Sequence, residues 1–219
     1  MKSAPAPEVT SARLKAQYAP AYLTLTSIIQ GVAITALVVH VEAGFDHLDA
    51  ADWLLAAATL GGLLLVWHEY LMQALAFVWV PTLLDSVVPF AFLLVELFLA
   101  HFVFGNQRAW LLAAGLCFAV GAAAWGATRT QARAEERENV GVLGAVGDIV
   151  PLRFAVNLIT AGIFLVAWAV YDALGLDRAQ FVVALLAFIV IAACIGATVP
   201  YWNRVLSYAR GDATIANDR

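Results

Sequence analysis

The stretch QFVVALLAFIVIAACIGATVPYWN, residues 180–203, decides the fold class because it carries no charged side chain over its whole length. A helix of about 20 apolar residues is long enough to cross about 30 Å of hydrocarbon. Backbone groups in lipid must pair within their own segment, and the apolar runs of this chain do not alternate with polar residues as barrel strands do. The sequence therefore predicts an all-α, polytopic integral membrane protein with six transmembrane helices, at about 21–42, 53–80, 82–104, 108–129, 152–174 and 180–203.

The composition of the whole chain agrees with this fold class. Of the 219 residues, 63% are hydrophobic and 13% are charged, whereas soluble domains are about 45–50% apolar and about 25% charged. The lipid bilayer is thus the first predicted partner. The net charge of −4 argues against a nucleic-acid partner, which requires a basic surface. Cys117 and Cys194 lie inside apolar runs and indicate neither a disulfide framework nor a metal site.

The lysines and arginines predict the orientation. With the N-terminus in the cytoplasm, only Arg108 and Arg178 of the twelve Lys and Arg residues fall outside. We therefore expect a plasma (inner) membrane protein with both termini in the cytoplasm. Its predicted parts are a cytoplasmic segment (1–20), the six-helix domain (21–203), a cytoplasmic loop (130–151) and a cytoplasmic tail (204–219).

The cytoplasmic loop has two predicted halves. Arg129, Arg133 and Arg137 recur every fourth residue, so the fourth helix is expected to continue beyond the membrane with a basic stripe that contacts lipid headgroups. The following GVLGAVGD, residues 141–148, is rich in glycine and lacks the lysine and hydroxyl of a phosphate loop. It is predicted to be a flexible turn.

Small residues predict where helices pack. In the fourth helix they recur every fourth position and form a smooth ridge, on which another backbone can lie closely. The sixth helix carries small residues in the same style, so helices four and six are predicted to be close neighbours or to form a subunit interface. We accordingly expect a homo-oligomer or a partner within a membrane complex. The ridge residues are Gly115, Ala119, Ala123 and Ala127.

Polar side chains within the predicted spans are the candidates for function. A charge at the bilayer centre costs about 2.5–3.5 kcal/mol, so such residues usually face a bundle interior or a water-filled cavity. His68 points about 100° away from its neighbour Glu69 around the helix, so the two are expected to have different partners. The predicted path for protons or another small cation consists of Gln30, Glu69, Gln73, Asp85 and Glu96.

Pro89 and two histidines complete the candidates. Pro89 removes the helical hydrogen bond to the carbonyl of Asp85, which is then free to bind a cation or a water. His40 and His101 are predicted near the outer ends of their helices, where they are candidates for an outer mouth or for pH sensing. Alternatively, they are the axial ligands of a haem.

Catalytic motifs do not occur in this sequence. Met72, rather than a second histidine, follows the His68–Glu69 pair at the spacing of the zinc-protease motif HExxH, and GxSxG is absent as well. We therefore predict no catalytic residues and do not expect an enzyme.

The run TSIIQGVAITALV, residues 26–38, resembles the first helix of the prokaryotic and lysosomal potassium channels that have six helices per repeat. In that family an AIAIT-like core follows a Phe-Ser-Asp motif. Leu25, Thr26 and Ser27 stand at those positions here, so the phenylalanine and the aspartate are missing. The resemblance slightly favours a channel, and it assigns no residue a role.

Three functions therefore stay open. The first is a small channel or transporter subunit that moves protons or another small cation through the polar path. The second is a non-catalytic scaffold or accessory subunit of a larger membrane complex, in which the polar residues hold helices together. The third is a haem-binding membrane subunit.

Overall fold

The computed structural model describes residues 7–146 and 149–211, and within these ranges the chain is helical with short connections. Two of the connections contain a single 3-10 turn, at Phe45–His47 and Leu176–Arg178. The helices are α1 (Pro7–Gly44), α2 (Ala50–Ala76), α3 (Leu83–His101), α4 (Gln107–Ala134), α5 (Glu136–Val146), α6 (Ile149–Val170) and α7 (Gln180–Ala209).

All the helices except α5 are long and apolar enough to cross a membrane. The predicted all-α fold and the six candidate spans are confirmed, and the helices indicate an integral membrane protein. The bounds of the helices differ from those of the predicted spans by some residues. The first helix begins within the predicted N-terminal segment, and the last extends six residues into the predicted tail. The predictions for residues 1–6 and 212–219, including those for Lys2 and Arg219, lie outside the described residues.

The six long helices contact one another in the closed order α1–α3–α4–α6–α7–α2. The most extensive contacts join α4 to α6, α2 to α7, and α1 to both α2 and α3. The contact between α6 and α7 is narrower and includes Thr160 and Cys194, whose Oγ1 and Sγ atoms are 3.9 Å apart. We call the end of the bundle that carries α5 the α5 end, and the other the opposite end.

The predicted flexible turn at 141–148 is wrong for the residues that the structure describes, because α5 extends through Val146. Close packing against α7 explains the glycine that suggested flexibility. The hydroxyl of Tyr208 occupies the space into which a side chain at Gly141 would project. Glycine at this position therefore provides room for a neighbour. Residues 147 and 148 lie outside the described part of the chain.

The predicted second span also ends early, because residues 77–82 leave the helix and run between α2 and α3. Asn139 of α5 holds this segment in place. Its side chain accepts a hydrogen bond from the Val78 backbone N–H (2.8 Å) and donates one to the Val78 carbonyl (2.7 Å). Asn139 also donates to the carbonyls of Ala132 and Glu135. The short helix thus supplies hydrogen-bond partners for a backbone segment that has left the helix.

The small-residue ridge of α4 packs differently from its prediction. Gly115 is buried against α6, where an added methyl would lie 2.7 Å from Cγ of Leu165. Ala119 and Ala127 are half-buried, and Ala123 is exposed. The main neighbour of α4 is α6, whereas the predicted sixth span, α7, packs chiefly on α2. The predicted pairing of spans four and six is therefore wrong within one chain, and the subunit interface stays a prediction.

Candidate site in the central cavity

A cavity of about 60 Å³ lies between α2, α3, α4, α6 and α7. One water needs about 10–15 Å³ of such space, so the cavity has room for about four to six waters. Most of its wall is apolar. Glu69 and Arg153 are the lining residues with a charge, and their neighbours include Tyr70, Gln73 and Asn157.

Glu69 and Arg153 form an ion pair across the cavity wall. The Arg153 guanidinium of α6 donates a hydrogen bond to Oε1 of Glu69 in α2, and the two side chains are only 5% and 13% exposed, respectively. Thr198 of α7 donates to the same oxygen over 3.5 Å. The pair therefore joins three helices. A buried arginine needs such a partner, because an uncompensated buried charge is strongly destabilising.

Several polar atoms around this pair have no hydrogen-bond partner among the described residues. They are Oε2 of Glu69, Nε of Arg153 and the hydroxyl of Tyr70, all three fully buried. Buried polar groups are nearly always paired with protein or with ordered water. The three residues line one cavity with room for waters. The cavity is therefore the candidate site for bound water or a ligand.

An aromatic ring of α4 borders the pair, and the neighbouring His68 contacts another ring. The Arg153 guanidinium carbon lies 5.8 Å from the centre of the Trp125 ring of α4, within the range of a cation–π contact. His68 points elsewhere and meets the ring of Trp202 in α7 edge to face, with the centroids 5.9 Å apart. His68 and Glu69 thus have different partners, as their angular offset predicts.

A second, smaller cavity of about 20 Å³ lies towards the α5 end. Gln73 lines both this cavity and the central one. Its side-chain oxygen accepts a hydrogen bond of 2.9 Å from Thr128 of α4, and both residues are buried. The buried Gln73–Thr128 pair therefore lies where the linings of the two cavities meet.

A third cavity, of about 250 Å³, opens at the opposite end and is lined by polar and charged residues that include Asp52, Arg108 and Asp177. Along α2 and α4 its lining lies about one helical turn from that of the central cavity, since Leu55 and Gln107 line this cavity and Thr59 and Trp110 line the central one. Trp110 donates a hydrogen bond of 2.9 Å to Thr59 at this boundary, and both are 1% exposed. The three cavities thus follow one another along the bundle, with a buried hydrogen-bonded pair at each end of the central one.

The second predicted carboxylate pairs outside these cavities. Glu96 of α3 is fully buried and accepts a hydrogen bond of 2.7 Å from the Gln30 amide of α1. Neither residue lines any of the three cavities. The structure therefore brings Glu69 and Gln73 together, and it places Gln30 and Glu96 in a separate contact between helices.

Asp85, the third predicted acid, lies at the first turn of α3 in a set of hydrogen bonds. Its carboxylate accepts from the Tyr18 hydroxyl (3.1 Å), the Trp79 ring N–H (3.1 Å), the backbone and hydroxyl of Thr82, and the Gln131 amide (3.2 Å). Together with Thr82 it forms a capping box, which stabilises a helix N-terminus. Asp85 thus has an evident structural role, although it also lines the cavity at the α5 end.

The two predicted outer histidines are neighbours. The rings of His40 in α1 and His101 in α3 meet edge to face with their centroids 5.4 Å apart, and Nδ1 of His40 lies 2.8 Å from the Ala36 carbonyl oxygen. They lie at the opposite end, outside the three cavities. Haem ligation by this pair stays a prediction, and a Soret band in the pure protein would test it.

Arg153 is the functional candidate that sequence reasoning missed, because it is counted only among the positive residues on the cytoplasmic side. In the structure it lies in the second turn of α6 and is 4% exposed. Two signals could have found it. Its position is one residue inside the predicted span, and an acid such as Glu69 deep in an apolar helix requires a cation.

No protein family model matches this chain, and neither the curated proteins nor the solved structures gave a significant match.

Proposed function

We propose that this protein is a small proton-translocating membrane transporter, in which Glu69 takes up and releases a proton and Arg153 is its counter-ion. The observation that supports the proposal is the Glu69 carboxylate, which has one unpartnered oxygen and lines a cavity with room for several waters. This cavity lies between two further cavities along the bundle. Intramembrane acids in such settings are typical of proton relays.

The charge of Arg153 favours a proton over another small cation. A metal ion entering the cavity would be repelled by the guanidinium, as fixed positive charges in pores repel cations. A proton bound to Glu69 adds no separate cation to the cavity, because it converts the carboxylate into a neutral acid. The buried hydrogen-bonded pairs Trp110–Thr59 and Gln73–Thr128, one at each end of the central cavity, favour stepwise transport over a continuously open channel.

The location and the assembly are part of the same proposal. The distribution of lysine and arginine supports a plasma (inner) membrane protein with cytoplasmic termini. In that orientation the α5 end faces the cytoplasm, and the polar 250 Å³ cavity with Asp52 and Asp177 is the outer mouth. We also propose that the protein functions as a homo-oligomer or with a membrane-complex partner.

Charge displacement after a pH jump tests the proposal. Proteoliposomes adsorbed on a solid-supported membrane should give a transient current when a jump to acidic pH protonates Glu69 against its pairing with Arg153, and Glu69→Gln should remove most of that current. Glu96→Gln is the control, because Glu96 is an acid even more deeply buried than Glu69 (0% exposed, against 13% for the Glu69 side chain) yet lines none of the three cavities, and it should keep the current. An unchanged current in Glu69→Gln would exclude this residue as the carrier.

A non-catalytic scaffold or accessory subunit is the second candidate. It is favoured by the Gln30–Glu96 pair, which joins α1 to α3 without lining a cavity. Purification in mild detergent distinguishes the two functions. A stable complex with another protein, together with no charge displacement by the isolated chain, would support the scaffold.

A further inference from the structure

Arg153 offers a hydrogen-bond donor that the protein itself leaves unused. The residue is 4% exposed, and its Nε has no partner among the described residues, although it lines the central cavity. A guanidinium presents several N–H groups in a planar fork that matches a carboxylate. The Glu69 carboxylate takes up one side of this fork through Oε1 and leaves Oε2 unpartnered. Arg153 therefore has the geometry of an anion-binding site that is occupied by a carboxylate of the protein itself, that of Glu69.

Charge balance couples this site to the proton. While Glu69 is ionised, its charge compensates that of Arg153, and the charges of the cavity lining sum to zero. Once Glu69 is protonated, the guanidinium is left as an unpaired buried charge, which is strongly unfavourable. A small anion entering from outside restores the balance. Uptake of one proton and one anion therefore leaves the charge of the cavity unchanged.

The rest of the wall selects the kind of anion. Beyond the ion pair the lining includes Leu65, Phe92, Phe118 and Ile191, which favour a hydrocarbon tail over a second charge. The space for about four to six waters matches the heavy atoms of a short-chain acid. Tyr70, with its unpartnered hydroxyl in the same wall, is available to donate to a second carboxylate oxygen.

We propose that the central cavity binds a short-chain monocarboxylate, whose carboxylate replaces that of Glu69 at Arg153 when Glu69 takes up a proton. This inference rests on the proposed function, since it names the substrate class that accompanies the proton. The proton goes to the Glu69 carboxylate, and no covalent bond of the substrate changes.

Other titratable groups surround the pair and must be separated from Glu69 in any test. Tyr201 and Cys194 of α7 and His68 of α2 interact electrostatically with Arg153 or with Glu69. On the α4 side Trp125, which does not titrate, contacts Arg153, while Cys117 of α4 and Tyr70 of α2 are further titratable groups in the wall of the same cavity. His68 is the group that ordinarily titrates near neutral pH, so His68→Gln is the appropriate control.

Calorimetric titration of the full-length protein in detergent with butyrate tests the proposal. Between pH 6 and pH 8, we expect the Kd for butyrate to rise about tenfold per pH unit above the midpoint of Glu69 titration, because each bound anion takes up one proton. Glu69→Gln mimics the neutral acid, so it should bind butyrate with a Kd independent of pH. His68→Gln should keep the wild-type dependence. Butylamine, a cation of similar size, should not bind.

Three results would overturn the proposal: no butyrate binding by either the wild type or Glu69→Gln, equal binding of butylamine, or a pH dependence that persists in Glu69→Gln. The double variant Glu69→Gln/Arg153→Gln contains no unpaired charge, and retained butyrate binding by this variant would also contradict the proposal. If butyrate fails to bind while the pH-jump current still depends on Glu69, the substrate class is wrong and the proton function stands. If the current does not depend on Glu69, the proposed function itself fails.

Discussion

Removing one partner of the Glu69–Arg153 pair should destabilise the protein far more than removing both. Arg153→Gln leaves the Glu69 carboxylate buried without its cation, and breaking a buried pair in this way costs about 3–5 kcal/mol. The double variant Glu69→Gln/Arg153→Gln removes both charges, and replacing a buried pair by neutral groups is often close to neutral. The two side chains are 13% and 5% exposed, so solvent screens their interaction little.

The measurement is a double-mutant cycle from unfolding in mixed micelles with increasing SDS, followed by circular dichroism and tryptophan fluorescence. The Arg108–Asp172 pair at the opposite end is the matched control. Its side chains are 43% and 69% exposed, so Arg108→Gln should cost only about 0–1 kcal/mol. The reasoning is refuted if Arg153→Gln is within about 1 kcal/mol of the wild type, or if the double variant is as unstable as the single one.

Two further substitutions test the packing that surrounds the site, in the same unfolding assay. Asn139→Ala removes both hydrogen bonds to the Val78 backbone. Because Val78 is 39% exposed, the loss should be about 0.5–1.5 kcal/mol for each hydrogen bond, and a loss below about 0.5 kcal/mol for the whole variant would mean that these bonds do not stabilise the segment. Gly115→Ala places a methyl 2.7 Å from Leu165, and such overpacking should cost about 1–3 kcal/mol. Gly31→Ala, with no atom within 4 Å of the new methyl, should be neutral or stabilising because alanine favours a helix by about 1 kcal/mol over glycine. Equal effects of the two glycine substitutions would contradict the close contact between α4 and α6.

The helix ends show where local patterns mislead. Hydropathy extends the second span to residue 80, because Phe77, Val78 and Trp79 are as apolar as the helix before them. The backbone leaves the helix at Ala76 nonetheless, since Asn139 of a distant helix replaces the lost hydrogen bonds of Val78. Glycine led to the opposite error, because it predicted an irregular segment where the structure has a helix. Gly141 suggested a flexible turn, yet it lies inside α5 beneath Tyr208.

The candidate site could be predicted only in part. The cost of a charge in lipid identifies Glu69 and Glu96 as residues that need a protein partner. Their sequence environment does not distinguish them, because both are acids within long apolar helices. In the structure Glu96 pairs with the neutral amide of Gln30, whereas Glu69 pairs with a cation beside a cavity. This difference makes Glu69 the residue on which the proposed function depends.

The amino-acid sequence by itself determined the all-helical class and the six long apolar helices, because the length of an apolar run and the need to pair every backbone group in lipid are local properties. Only the tertiary structure decided which way each helix faces. A helix that is apolar on nearly every side has no preferred rotation of its own, so its facing depends on contacts between distant segments. Glu69 contacts Arg153, which lies 84 positions further along the chain. No local pattern contains that contact, and it creates the charged wall of the central cavity.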